Sequence, residues 1–524
     1  MHKLAALDHR FIWHPFTQMR DWLRREPIVI VSGKGAVLRD ANGREYLDAN
    51  SSIWTNLHGH NHPKINAAIQ RQLKKIAHSS ALGLANEPAS LLAEKLVEAA
   101  NRPIDDLQLT IDAAKTNPTR KSNIVNRKLS KVFFSDDGST ALEVALKLAY
   151  EFTRRTRGKS VGRAPVGPKL LSKGRSSRTV QPKFLSLEGA YHGDTVGAVA
   201  LGHIDLFHQS YSGLLFKTDK VMSPYCYRCP FNRAPPERAD ARDYRQCNWE
   251  CVGKVEQKFS AQKKTGNPYA AFVFEPLIQG AAGMIPQPGG WLKRVTENAR
   301  SHGALLVADE VMTGFGRVGQ ASCLSQASGK GKDRLEACPT FFACHHEGVQ
   351  PDFLCLAKGM TGGYLPMAAT LTTQKVFDAF LGEYDEFKAF FHGHSFTANQ
   401  LGAAASLASL EILHSAGSVC ARVKLERALR SELQTFWTLP NVGDIRQVGL
   451  IAGIELVKNW HTREPFDLRE RAGVRVCGAM ARHGVLTRPV GNVIVLMPPY
   501  GTTPAQLKKI IAVTRESIAA TLGD

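Results

Sequence analysis

Leu305-Leu306-Val307-Ala308-Asp309-Glu310-Val311 and Leu354-Cys355-Leu356-Ala357-Lys358-Gly359-Met360 are built alike: a short apolar run that ends in a charged side chain. Each run reads as a buried strand. Met312-Thr313-Gly314-Phe315-Gly316-Arg317 follows the first and Thr361-Gly362-Gly363 the second, and both are turn-forming. Asp309 and Lys358 are therefore expected at the carboxyl edge of a sheet, where open α/β sheets bind ligands. An amine and a carboxylate presented there together suit a cofactor that needs a covalent anchor and an anion beside a ring nitrogen. Pyridoxal phosphate is such a cofactor. Taken singly, Asp309 reads more simply as a loop cap and Lys358 as a solvated lysine; the pair draws its weight from the rest of the chain.

Outward from that pair, strands and helices alternate from 131 to about 375, which predicts a mostly parallel, doubly wound sheet. Lys131–Phe134 reads as a strand that turns through Ser135-Asp136-Asp137-Gly138-Ser139-Thr140 into a helix running to about Arg154. A strand, a Gly/Ser turn and a helix start offer free N–H groups to a phosphate, although a plain cap at Ser139 explains the same residues. Phe184–Leu187 leads into Glu188-Gly189-Ala190-Tyr191-His192-Gly193-Asp194, where Tyr191 or His192 is placed to stack on a flat ring. Ala271–Phe274 ends in Glu275 in the same manner. Before this region, Ile28–Val31, Ala36–Arg39 and Glu45–Asp48 suggest a small antiparallel sheet, and about Pro63 to His78 a helix with Ile65, Ala68, Ile69, Leu73 and Ile76 on one face. After it, Ala/Leu-rich helices lead to strands expected at Val448–Glu455 and Val493–Met497. Arg488, just before the last strand, is a candidate carboxylate clamp.

The chain of 524 residues is long enough for a large domain and a second, smaller α+β one built from both chain ends. The expected division is 1–60 and 376–524 for the smaller unit and 61–375 for the larger. Insertions are expected near 110–130, 157–182 and 321–340. A net charge of +20 invites a nucleic-acid reading, but segments 110–131 and 151–183 carry +5 and +9 of it. Both look like solvated insertions, and no aromatic residue interleaves with the basic ones from 154 to 183, so no stacking platform is present. No specific nucleic acid is expected as a partner. No run of about 18 apolar residues predicts a membrane span. Asp8, His9 and Arg10 stand where a secretory peptide needs its apolar core, and the ten cysteines suit a reducing cytoplasm. Cys226, Cys229, Cys247 and Cys251 are spaced nearly as in zinc ribbons, with the second pair one residue too wide. Free thiols are the simpler reading.

Gly138-Ser139-Thr140, Tyr191-His192-Gly193, Asp309-Glu310-Val311 with Gly314-Phe315-Gly316-Arg317, and Lys358-Gly359 with Thr361-Gly362-Gly363 occur in the order of class III, fold-type I pyridoxal-phosphate aminotransferases, which the chain resembles. Trp13-His14-Pro15-Phe16-Thr17-Gln18-Met19, Trp54 with His58-Gly59-His60, His392-Gly393-His394-Ser395-Phe396 and Leu496-Met497-Pro498-Pro499-Tyr500 narrow the resemblance. They look like the branch that makes 7,8-diaminopelargonate in biotin biosynthesis. The resemblance implies that Lys358 binds the cofactor covalently, Asp309 pairs with its ring nitrogen and Tyr191 stacks on the ring. It also implies that Gly138 and Ser139 hold the phosphate together with Ser395 of a second subunit, hence a homodimer. Trp54, Tyr191, Gly393, Arg488 and Lys358 would meet the substrates, with Arg488 on a carboxylate. The implied reaction aminates 8-amino-7-oxononanoate, with S-adenosylmethionine as the usual donor. Ile53 and Phe16 replace a Trp and a Tyr of the best-known users of that donor, so lysine is an alternative. Another ω-amino acid or diamine transamination is the other.

Overall fold

The computed structural model describes residues 2–113, 127–157, 181–319 and 340–523, with side chains outside 103–113. The insertions expected near 157–182 and 321–340 lie almost wholly outside these residues, and that near 110–130 does so between 114 and 126.

At the centre is a seven-stranded sheet in the order Leu129–Ser135, Ala368–Thr373, Phe353–Leu356, Leu305–Asp309, Ala271–Phe274, Phe184–Leu187, Asp219–Val221. All neighbours pair in parallel except Ala368–Thr373, which is antiparallel to both strands beside it. The strands that lead to Asp309 and Lys358 are adjacent, with Asp309 opposite Cys355. The residues of Ala271–Phe274 and Phe353–Leu356 are buried throughout, as expected when helices cover both faces. One face packs the Gly138–Arg157 helix through Ala141, Leu142, Ala145 and Leu148. The other meets Trp291, Leu292 and Val295 of the Trp291–Ser301 helix in the largest core cluster.

Besides a two-stranded ribbon of Ile278–Gln279 and Ile285–Pro286, two further sheets accompany this centre among the described residues. Ile30–Lys34, Val37–Asp40 and Glu45–Asp48 form the expected antiparallel set, and Val485–Leu486 from the far end of the chain joins it in parallel beside Glu45–Asp48. The second holds Val442–Val448, Ile451–Asn459, Val493–Leu496 and Pro489–Val490. Here the single strand expected at 448–455 is corrected. The chain reverses at Gly449-Leu450, and the residues on either side belong to two antiparallel strands. Gly449 makes that turn with φ +61°, and a Cβ on it would strike the Arg317–Gly319 backbone. An apolar run of even hydropathy hid a turn that only a glycine can make.

Candidate active site

Asp309 is the last residue of its strand, is 6% exposed, and is fixed from two sides. Its Oδ1 accepts the Val311 amide at 3.1 Å and its Oδ2 accepts the Nδ1 hydrogen of His192 at 2.8 Å. The carboxylate can only accept, so this bond places the His192 proton on Nδ1. Among the described residues, the ring's buried Nε2 has no hydrogen-bond partner. Lys358 begins a single 3-10 turn, Lys358–Thr361, two residues beyond its strand. Among the described residues its ammonium has no hydrogen-bond or ion-pair partner; it lies 5.0 Å from the centre of the Trp54 ring. Burial pulls its pKa below the ordinary lysine value, against the opposing pull of Asp309 and Glu275.

The turn before the Gly138–Arg157 helix is capped by Asp137, whose Oδ1 accepts the Thr140 amide at 2.9 Å, not by Ser139. The first amides of a helix have no partner within it, so those of Gly138 and Ser139 remain for an anion. The Ser139 hydroxyl instead accepts the Asp194 amide at 3.1 Å. Gly193 keeps this approach possible, because a Cβ there would collide with the Ser139 side chain. Tyr191 faces the same space, its hydroxyl donating to Asp194 Oδ2 at 2.7 Å, and burial with that carboxylate keeps the phenol protonated. Glu275, at the end of the neighbouring strand, accepts the Gly280 amide at 2.8 Å through Oε2. Burial pushes its pKa up to about 7; His192 opposes and Asp309 adds to the rise.

These groups enclose one cavity of about 450 Å³, within the usual range for a cofactor and a small substrate. Of the residues singled out in the sequence, Trp54, Gly138, Ser139, Tyr191, Asp309 and Lys358 all line it. Gly393, Ser395 and Arg488 do not: all three are exposed in this protomer. The Arg488 guanidinium donates to the Phe16 carbonyl oxygen at 2.9 Å. It reaches the cavity rim only indirectly, through Phe16 on Phe207 and Phe207 on Tyr191, each an edge-to-face ring contact. Sequence reasoning missed Asp136, Met312 and Tyr364-Leu365-Pro366-Met367 as wall residues. The turn glycines after Lys358 were the available signal for that last group, since they fold the chain back over the lysine.

The described residues contain no cluster of three or more His, Cys, Asp or Glu side chains placed to hold a metal ion. Cys226, Cys229, Cys247 and Cys251 are free thiols, and burial, the largest influence, pushes Cys226 up to about 12 and Cys251 to about 11. Among the described residues no helix is long and apolar enough to cross a membrane. The cavity residues do fit pyridoxal phosphate. An unpaired amine, an oriented carboxylate, an open helix start and a phenol ring surround a space large enough for it.

Residues 19–331 and 337–518 match the model of the class III aminotransferase family, and the chain belongs to that family. It is an aminotransferase with the fold-type I architecture. Within the family it is 42% identical over 523 residues to the adenosylmethionine-8-amino-7-oxononanoate aminotransferase of Geobacter sulfurreducens, covering 99% of this chain and 98% of that protein. The enzyme of the same name from Aquifex aeolicus is 41% identical over 508 residues, covering 97% of this chain and 95% of that one. The crystal structure of the Methanocaldococcus jannaschii enzyme of that name superposes with a TM-score of 0.79 at 35% identity, covering 99% of both chains. An omega transaminase from Pseudomonas jessenii, solved in complex with PMP, also superposes at 0.79, with 25% identity, covering 100% of this chain and 99% of that one.

Proposed function

We propose that this aminotransferase converts 8-amino-7-oxononanoate to 7,8-diaminononanoate in biotin biosynthesis, with pyridoxal phosphate as cofactor and S-adenosylmethionine as amino donor. The observation that carries the reading is the unpaired Lys358 amine beneath Trp54 in a cavity that also holds Asp309 and the open helix start at Gly138. The names of relatives that match nearly the whole chain support the substrate. Bound there, the cofactor would supply the electron sink that lets an amino group pass from the donor to the ketone.

The protein's own groups would do the rest. Lys358, with its pKa depressed by burial, is suited to remove the proton from the substrate Cα and to return it. Asp309, held by His192, would keep a proton on the ring nitrogen. The Gly138 and Ser139 amides would hold a phosphate dianion at the positive end of their helix. Trp54 and Tyr191 would confine the substrates, and Arg488 would meet a carboxylate at the rim. Ser395 would complete the phosphate site of a partner subunit. Its exposure, beside Phe391 and Phe396 at 74% and 61% exposed, supports a second copy packing there. The division into a central unit, 61–375, and a smaller one, 1–60 with 376–524, belongs to the same reading. The pairing of Glu45–Asp48 with Val485–Leu486 supports it. The absence of a membrane-spanning helix among the described residues is compatible with a cytoplasmic enzyme acting on small molecules.

A second reading takes lysine as donor, and Phe16 and Ile53 favour it by leaving the rim without a phenol and a second indole. The loaded enzyme is offered S-adenosylmethionine, lysine and ω-amino acids in turn while cofactor absorbance is followed. Conversion with S-adenosylmethionine alone is expected; conversion with lysine and none with S-adenosylmethionine overturns the donor. Failure to rescue a biotin auxotroph lacking this step overturns the keto substrate.

A further inference from the structure

Trp54 is delivered to the cavity by an unusual piece of backbone. Ser51, Ser52, Ile53 and Trp54 all have positive φ, at 45°, 46°, 63° and 71°. The Trp54 amide donates to Asn50 O and the Thr55 amide to Ser51 O, each at 2.9 Å. That is one turn of left-handed helix made without a glycine. Each such residue costs about 1–2 kcal/mol, and a β-branched one such as Ile53 is among the worst placed. Strain of this kind persists only where the surroundings over-determine it.

The surroundings are organised by Asp48, which is 2% exposed. Its Oδ1 accepts the Asn50 and Ser52 amides, each at 3.1 Å, and its Oδ2 accepts the Ser52 hydroxyl at 3.0 Å and His60 Nε2 at 2.9 Å. His60 Nδ1 accepts a hydrogen bond from the Asn56 side-chain Nδ2 at 3.3 Å, so the hydrogen on Nε2 is the one that points to Asp48. Burial alone raises the Asp48 pKa, but His60 and the two amides outweigh it and keep the group ionised. The outer ends of the turn are tied as well. The Ser51 hydroxyl donates to Met497 O at 2.7 Å, and the Trp54 indole N–H donates to Asn50 Oδ1 at 2.9 Å. The indole also packs against Gly280, where a Cβ would come within 3.4 Å of the ring and 2.6 Å of Met312 Sδ. A right-handed turn from the same start would send the indole to the other side of the chain axis, away from Lys358.

We propose that Asp48 is the positioning residue for the substrate wall: its carboxylate holds residues 51–54 left-handed so that Trp54 stays over the Lys358 amine. It governs how tightly the substrate is held and not the proton transfer. This rests on the reading above that Trp54 confines the substrates.

The test compares Asp48→Asn, Trp54→Ala and their combination by KM and kcat for 8-amino-7-oxononanoate and by its calorimetric Kd. In Asp48→Asn an amide N–H faces the His60 Nε2 hydrogen. KM and Kd should rise about tenfold, with kcat within about threefold of the parent. The double variant should bind no worse than Trp54→Ala, because Asp48 acts through Trp54. Additive losses, or a fall in kcat at unchanged KM, overturn the proposal. Two variants at the exposed position 53 guard against misfolding. Ile53→Pro forces φ negative and should reproduce the rise in KM; Ile53→Gly removes the same side chain but keeps the turn, and should raise KM several-fold less than Ile53→Pro does. The reverse pattern overturns the role of the turn. If Trp54→Ala leaves KM and Kd unchanged, the wall assignment and this inference both fall. If Trp54→Ala weakens binding and Asp48→Asn does not, only the inference falls.

Discussion

At the residue scale, the carboxylates around Lys358 divide by their partners. Asp309 is paired with His192, whereas Glu275, just past the end of the next strand, accepts the Gly280 amide and has its pKa pushed by burial up to about 7. A bond from His192 to an ionised acceptor is worth about 1.5–3 kcal/mol. His192→Phe is therefore expected to lower kcat about ten- to hundredfold with little change in KM. It should also shift the pH titration of cofactor absorbance; an unchanged titration would show that His192 does not tune Asp309. Glu275 bears on stability. A carboxyl whose folded pKa is raised stabilises the protein fully below its unfolded value of about 4.5, and that contribution is lost as pH rises through about 7. Glu275→Gln should flatten this part of the stability profile and leave the protein on the order of 1–3 kcal/mol more stable than the parent above pH 7. Denaturant melts at fixed cofactor concentration across pH 5 to 8 provide the check, and an unchanged slope would refute it.

At the element scale, strand ends and turns did most to decide what was legible. Asp309, Lys358, Gly138 and Tyr191 follow short apolar strands, and a period-two or fully buried run can be read from one chain. The Gly449 turn was hidden because it interrupts no hydropathy pattern. The left-handed turn at 51–54 was hidden because no residue in it advertises positive φ. His192 was visible as a residue, but its bond to Asp309 joins positions 117 residues apart, a pairing that no local pattern encodes. Arg488 was chosen for its charge, and the protomer places it on the Phe16 carbonyl oxygen at the rim. The two turns differ in what substitution does to them. Gly449→Ala adds both a strained φ and a backbone collision, and is expected to cost about 2–3 kcal/mol. Ile53→Gly relieves strain and is expected to stabilise by up to about 1 kcal/mol, after the extra entropy that glycine gives the unfolded chain. Thermal melts of the two variants should move in opposite directions.

At the scale of the whole molecule, the proposed phosphate site is only half built by one protomer. Within one protomer, Gly138 and Ser139 line the cavity while Ser395 stands exposed in a run with Phe391 and Phe396. Two copies related by a twofold axis would resolve this, each lending its Ser395 to the other's cavity. The arrangement has a consequence that no arrangement of independent sites shares. Lys358→Ala should be inactive because it removes the amine, and Ser395→Asp because it sets a carboxylate against the phosphate. Subunits of the two variants, mixed in equal amounts and re-paired, should form hybrids in which one cavity has both defects and the other has neither. With random pairing, about a quarter of the wild-type activity should return. The recovered activity should follow the hybrid peak separated by a charge tag. If the hybrid is inactive while each parent remains dimeric, Ser395 serves its own subunit, and the phosphate site is closed by a movement of the 391–399 segment within one chain.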